Sequence, residues 1–310
     1  MPQTTTNPAG RIALVTGGGG FIGQALIGDL LTAGWQVRNL DFVSGQIEHP
    51  DLSHWQGSFL SSELLHEAMV GVDCIFHLAT THFPREANAN PHEDADGSIL
   101  GVIKIAEMAL RFGVRRMVFA SSGGTVYGPL KQVPVSEDHP TRPITAYGIS
   151  KMAAEHYLRF FDGRGLETVS MRIANPYGPG QNINKALGAL TTFCHNAATG
   201  KEISIWGDGR VERDFVHITD VARALVLAAD CDAHGCEINI GLGRGASLNE
   251  LLALIEKATG TAPKVRYFPA RSFDVPRSVL CISRAAQLLG WRPSITLEDG
   301  VAQMMRALSA

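Results

Sequence analysis

Tyr147 and Lys151 stand four residues apart in Tyr147-Gly148-Ile149-Ser150-Lys151, at the opening of a segment that reads as a helix through Leu158. Side chains at that spacing stack on one helical face, so the phenol and the ammonium share one space. A phenol titrates near pKa ~10 and is a poor base at neutral pH; a neighbouring ammonium stabilises the phenolate and lowers that value. So tuned, the phenolate can take a proton from a secondary alcohol while hydride leaves the alcohol's carbon. A second stretch offers a place for the hydride acceptor. The apolar run Ile12 to Val15 stops on four glycines, Gly17 to Gly20, and a helix begins at Phe21-Ile22-Gly23. Gly17, Gly20 and Gly23 have the spacing Gly-x-x-Gly-x-x-Gly, which suits a sharp strand-to-helix turn approached by a pyrophosphate. Free amides at the helix start, those of Phe21 and Ile22 included, favour an anion there. A second apolar run, Gln36 to Leu40, ends at Asp41, where a carboxylate accepts from both ribose hydroxyls and repels a 2′-phosphate. The dinucleotide is therefore expected to be NAD rather than NADP.

Taken singly, Tyr-x-x-x-Lys fits a surface pair and a glycine-rich turn is only a turn; the chain between them makes them one site. Val72 to Ala79 and Arg116 to Ser122 read as buried strands, with helices expected over Leu64 to Met69 and Ser98 to Phe112. Polar, turn-rich stretches around His49-Pro50-Asp51 and from Pro84 to Pro91 read as loops. Strand and helix alternate to residue 175, the pattern of a doubly wound parallel (Rossmann) sheet with helices on both faces. Ligands of such sheets bind beyond the carboxyl ends of the strands, so the residues to watch follow Val15, Leu40, Ala79, Ala120 and Met171. Leu78, Ala79 and Ser121 join the cofactor contacts on that ground. Beyond residue 175 short helices (Leu187 to Ala198, Val221 to Ala229, Leu248 to Thr259, Leu297 to Leu308) alternate with turn-rich pieces. This is expected to form a smaller α+β substrate-binding lobe, residues 176–310. Residues 1–175 form the NAD-binding domain, to which a segment near 214–240 returns.

The 310 residues are 45% hydrophobic with a net charge of −3, enough apolar content for a sizeable core and no electrostatic footprint for nucleic acid or membrane. The first ten residues are polar and lack the apolar stretch of a signal peptide, and no apolar run reaches membrane-spanning length. Five scattered cysteines are expected to be reduced thiols of a cytoplasmic protein. Cys231 and Cys236 have no second ligand pair, so no metal is expected.

The chain resembles the extended short-chain dehydrogenases/reductases, in their NAD-dependent sugar-nucleotide epimerase/dehydratase branch. The resemblance is carried by Thr16-Gly17-x-x-Gly20-x-x-Gly23, His77-Leu78-Ala79, Ser121-Ser122 through Val126-Tyr127-Gly128, and Tyr147-x-x-x-Lys151. It continues in Asn175-Pro176-Tyr177-Gly178-Pro179, Arg213-Asp214-Phe215-Val216-His217 and Leu289-Gly290-Trp291-x-Pro293. It implies NAD in the first lobe, a nucleoside-diphosphate sugar (a UDP-hexose or UDP-hexuronate) against the second, and chemistry at the sugar's carbon 4. Tyr147 maps to the general base and Lys151 to its partner on the nicotinamide ribose. The family's Ser or Thr four residues before Tyr127 is replaced by Gly123, so its role passes to Ser122 or Thr125, the latter also a substrate contact. Asn175, Arg213 and Arg271 map to diphosphate contacts, for which an arginine fork is suited, and Asp274 to the nucleoside ribose. Ser58, Ser98 and Cys281 replace common Asp, Asn and Asp residues. His77, in an apolar strand, reads as structural.

The resemblance leaves three functions. A 4-epimerase oxidises carbon 4 to a transient ketone and returns hydride to the other face. A 4-ketoreductase or dehydratase is the alternative, but dehydratases carry Asp-Glu where Gly124-Thr125 stand. A non-catalytic dinucleotide-binding relative commonly lacks the Tyr or Lys that this chain keeps. A homodimer is expected through the helices near 98–112 and 147–161. Their apolar positions Ile99, Val102, Ile103, Ala106, Ala109, Ala153, Ala154, Tyr157, Leu158 and Phe161 exceed what one core face needs.

Overall fold

A computed structural model describes residues 10–182, 188–270 and 275–309. Its largest sheet has seven parallel strands in the order β3-β2-β1-β4-β5-β6-β10. They are β1 (Ile12–Thr16), β2 (Gln36–Asp41), β3 (Leu52–Gln56), β4 (Cys74–His77), β5 (Arg116–Ser122), β6 (Glu167–Ile173) and β10 (Cys236–Ile240). Side chains of a strand alternate between faces, and the sheet is buried on both. Ala13, Val15, Cys74, Phe76, Val118 and Ala120 pack on one face, with α1 (Phe21–Thr32) and α8 (Ile218–Ala228). Leu14, Ile75, Met117 and Phe119 pack on the other, with α2 (Ser62–Met69), α5 (Gly101–Arg111) and α6 (Ala146–Asp162). The expected doubly wound sheet is thus present, and its strands read as apolar runs because neither face meets water.

Two departures come from segments whose composition hides their structure. β3 is an edge strand in which Leu52 and Trp55 are half-buried and the other side chains exposed, so it lacks an apolar signature. The expected loop from Pro84 to Pro91 instead contains α3 (Pro84–Ala89) and leads into α4 (Pro91–Ala95), each opening on a proline. Proline at the first helical position is pre-set for the turn. A π-helical turn, Asp96–Leu100, then precedes α5.

The second lobe gathers α7 (Ala189–Ala198), α9 (Leu248–Thr259) and α11 (Leu297–Ser309) around Tyr177, Phe193, Ile205, Phe215 and Met304. It also holds a parallel pair, β8 (Ile203–Trp206) with β12 (Val265–Phe268). A small sheet centred on β9 (Glu212–His217) adds β7 (Asn175–Tyr177), β11 (Gly245–Ser247) and β13 (Arg277–Ser278). The chain crosses between the lobes repeatedly. β10 completes the large sheet, and α10 (Ser283–Leu289) and Trp291 return to the first core. Asp214 helps hold the crossing together. Its buried carboxylate accepts from the amides of Leu242, Gly243 and Leu280, while burial raises its pKa to about 6.

Candidate active site

β1, β4 and β5 end side by side, and the residues singled out from the sequence collect there. Gly17 leaves β1 with φ +80°, and a Cβ on it would come within 2.6 Å of the Ala79 amide nitrogen. One on Gly23 would meet the Gly17 carbonyl at 2.3 Å. Side chains at either position would push apart turn, helix and neighbouring strand. α1 begins after Gly20 with no side-chain cap, so the orphan amides of its first turn face outward. Asp41, at the end of β2, accepts from the Gly19 amide at 3.0 Å and the Val43 amide at 3.2 Å. The carboxylate is thereby pinned beside the glycine tip. His77 shares a 2.6 Å hydrogen bond with Thr16 and stacks on Phe119. Burial lowers its pKa to about 3, leaving a neutral group consistent with a packing role.

Thr145 caps α6 by accepting from the Gly148 amide at 3.1 Å, which fixes the register that presents Tyr147 and Lys151 together. Lys151 is buried; its Nζ donates to the Ala120 carbonyl at 2.9 Å. The ammonium stands 5.6 Å from the centroid of the Tyr147 ring and 4.6 Å from that of Phe119. Burial lowers the lysine to about 8, opposed by Asp94 and Glu155. Tyr147 moves opposite to the sequence expectation: burial, reinforced by Asp94, raises its pKa. Desolvation of the phenolate and the charge of Asp94 both favour the neutral phenol.

The two candidate hydroxyls have different surroundings. The Ser122 side chain is partly exposed, and its carbonyl accepts from the Thr125 and Val126 amides. Thr125 Oγ1 is buried with no hydrogen-bond partner. Its backbone lies against Gly148, where a Cβ would come within 2.8 Å of the Thr125 carbonyl. Gly123 has no room for a side chain, since a Cβ would meet Leu280 Cδ1 at 2.5 Å and the Arg172 carbonyl at 3.0 Å. Ser121 turns away from the strand-end surface: its Oγ donates to Glu155 at 2.5 Å, and Glu155 pairs with Arg172. Arg172 also donates to Tyr127, whose hydroxyl donates to Asn239. None of this buried chain beyond Ser121 and Tyr127 was legible as functional, because its partners meet only through the fold.

Between the lobes a recess of about 90 Å³ is lined by Gly123, Gly124, Tyr127, Asn175, Arg213 and Ser278, among others. Asn175 donates to the Asp214 carbonyl, and Arg213 to the carbonyls of Glu212 and Val275. Arg271 and Asp274 lie outside the described residues. A larger crevice, lined by Arg11, Arg115, Arg116 and Glu167, opens at the opposite end of the strands. Among the described residues no cluster of His, Cys, Asp and Glu could hold a metal ion, and no helix is long and apolar enough to cross a membrane.

Residues 13–241 match the NAD-dependent epimerase/dehydratase family. The chain belongs to that family. The UDP-glucose 4-epimerase of Mycolicibacterium smegmatis is 34% identical over 300 residues, which cover 94% of this chain and 96% of that protein. The dTDP-4-dehydro-6-deoxyglucose reductase of Escherichia coli is 32% identical over 306 residues, 95% of this chain and 96% of that one. The Thermotoga maritima UDP-glucose 4-epimerase, solved with UDP-glucose, superposes with a TM-score of 0.90 at 33% identity. That match covers 96% of this chain and 98% of the other.

The family's NAD suits the residues present. The glycine turn is a cradle that a Cβ at position 17 or 23 would fill. The first turn of α1 offers amides to a pyrophosphate, and Asp41 stands where a ribose would follow. Asp94, Ser98 and Ser150 form a further polar cluster in the first lobe, and the sequence pointed to neither Asp94 nor Ser150.

Proposed function

We propose that the protein is an NAD-dependent 4-epimerase of a nucleoside-diphosphate hexose or hexuronate, with uridine the expected base. The observation that carries this reading is the unpartnered, buried hydroxyl of Thr125, a residue whose backbone lies against Gly148, between Tyr147 and Lys151 on α6. A buried hydroxyl without a partner is costly, and a sugar hydroxyl placed there supplies one. Tyr147, as the phenolate that the Lys151 ammonium stabilises, takes the proton of the 4-hydroxyl and becomes the phenol that later returns it. Thr125 donates to the 4-oxygen as it passes from alcohol to ketone and back. Asn175, Arg213 and Arg271 hold the diphosphate, and Asp274 the nucleoside ribose. NAD, when bound, supplies the hydride acceptor. Inversion requires the sugar to turn in its pocket, and Gly124, with nothing within 4 Å of a Cβ built on it, leaves room at the wall.

The test is incubation of the purified protein with a panel of nucleotide sugars, no cofactor added, followed by the anomeric NMR signals. Interconversion of 4-epimers supports the reading. Turnover only of 4-keto sugars with added reduced cofactor would instead make it the ketoreductase, the activity named for the Escherichia coli relative.

Asp41→Ala is expected to weaken NAD roughly 10- to 100-fold, the loss of charge-assisted bonds worth about 1.5–3 kcal/mol. It should also narrow the preference over NADP. Calorimetric titration of both dinucleotides checks this, and equal wild-type affinities would refute the role of the carboxylate.

A homodimer is part of the same proposal, with its face redrawn. Val102, Ala106, Ala109, Ala154, Leu158 and Phe161 belong to the chain's own core, so they are not surplus. The exposed apolar side chains of this region are Leu100, Ile149, Tyr157 and Phe160, and such a patch marks an interface. Light scattering at micromolar concentration should give twice the 33.3 kDa chain mass, and Tyr157→Arg should lower it; a wild-type monomer overturns the assignment.

A further inference from the structure

Asp94 is a fully buried carboxylate to which the proposed reaction gives no part. A carboxylate removed from water is costly unless it is paired or hydrogen-bonded. Here hydroxyls hold it: Ser150 donates to Oδ2 at 2.6 Å and Ser98 to Oδ1 at 3.3 Å. Ser150 directly precedes Lys151 and lies one helical turn after Tyr147, so the carboxylate sits against the turn of α6 that carries both. Lys151 is only 3% exposed, and the Ala120 carbonyl accepts from its ammonium.

We propose that Asp94 is a positioning residue, the counter-charge of Lys151, which sets through space the proton affinity of Tyr147. An epimerase must both remove and return a proton at one oxygen. Burial works against the Lys151 ammonium, and a buried negative charge at its turn of α6 offsets that, keeping the ammonium in place beside the phenol while it holds the proton to be returned. The directions of titration agree: Asp94 favours the charged lysine and the neutral tyrosine.

The other charges are accounted for. Glu155, on the same helix, is neutralised by Arg172 of β6 at 2.7 Å. Arg116 of β5 and Glu167 of β6 pair with each other at 2.7 Å at the opposite end of the strands, and Asp162, at the far end of α6, is bonded to the Thr168 amide and His234. His77 of β4 is uncharged at neutral pH. On the elements packed against α6, the remaining charged groups of α3, α4, the π turn and α5 are exposed, apart from the half-buried Lys104. Solvent screens them. Asp94 is thus the buried charge left to act on the pair.

This inference rests on Tyr147 being the base, and its test separates the two claims. In NAD-loaded enzyme carrying ring-labelled tyrosine, the Tyr147 resonance, one of five tyrosines and assigned by its loss in Tyr147→Phe, is titrated alongside the pH profile of kcat. Asp94→Asn should move the Tyr147 midpoint, and both limbs of the profile, about one unit lower, the order of effect of a nearby buried charge. Asp94→Ser serves the same comparison should the amide not fold. Ser150→Ala removes a hydrogen bond but keeps the charge, so its midpoint should match the wild type. An unmoved midpoint in the Asp94 variants, or an equal shift in Ser150→Ala, overturns the inference. A moved midpoint in a protein that turns over no nucleotide sugar leaves the inference standing and sinks the proposed reaction.

Discussion

Tyr147→Phe is expected to lower kcat by roughly 10²–10⁴, the usual contribution of an acid–base group, or about 2.7–5.4 kcal/mol. NAD should remain bound. The substitution deletes one oxygen at the first turn of a helix whose Thr145 cap and buried Leu158 are untouched, so the fold has no reason to yield. Cofactor absorbance of the purified variant and its thermal melt check this, and a rate within tenfold of wild type would remove Tyr147 as the base. The pH behaviour follows from its partner. Burial lowers Lys151 to about 8, so turnover should fall as pH rises through that value and the ammonium is lost. Stability moves the other way. A lysine whose pKa is lower folded than unfolded penalises the fold below its folded pKa, and that penalty is relieved as pH rises from about 8 towards 10.5. Activity lost just above pH 8 with an unchanged or higher melting temperature would therefore report Lys151 rather than unfolding.

The cofactor cradle was legible because its requirements are local. Glycines at fixed spacing, an apolar strand before them and a carboxylate ending the next strand need no knowledge of distant chain, and β5 keeps its expected limits, Arg116–Ser122. Legibility failed where a residue's meaning depends on what packs against it. The apolar positions of α5 and α6 show helical periodicity, but periodicity does not say which stripe meets the sheet, and Val102 and Leu158 proved to be core. Pro84 and Pro91 punctuate a polar stretch, which hides that each starts a helix and that the second buries Asp94. Ser121 is the penultimate residue of its strand, as the motif requires, yet its hydroxyl turns inward to a Glu155–Arg172 pair assembled from a helix and the next strand. The phenol's titration was misjudged for the same reason. Spacing reveals the ammonium beside Tyr147, but only the fold reveals that Lys151 is buried and that Asp94 stands against the same turn of the helix.

Thr125→Val is expected to lower kcat by roughly 10²–10⁴, while Ser122→Ala stays within about tenfold, or 1.4 kcal/mol. The contrast follows from two environments on one loop. Thr125 Oγ1 is buried without a partner, an arrangement that costs the folded protein about 1–3 kcal/mol. Valine keeps the shape and removes the unsatisfied oxygen, so Thr125→Val should melt no lower than wild type, and higher if the oxygen finds no water. A variant that gains or keeps stability while losing turnover identifies a group held in place for the reaction, as strain or an unmet bond at a functional site often does. Ser122 lacks that signature, for its side chain is partly exposed and its carbonyl already fixes the loop through the Thr125 and Val126 amides. Restoring a hydroxyl at position 123 offers no rescue. A Cβ there would run into Leu280 and the Arg172 carbonyl, so Gly123→Ser should lower stability by the 1–3 kcal/mol typical of overpacking without repairing Thr125→Val. Paired kcat and melting measurements on the three variants decide the matter. Near-normal rates in both Thr125→Val and Ser122→Ala would leave proton transfer to Tyr147 alone or to a bound water, and the assignment of the hydroxyl would fall.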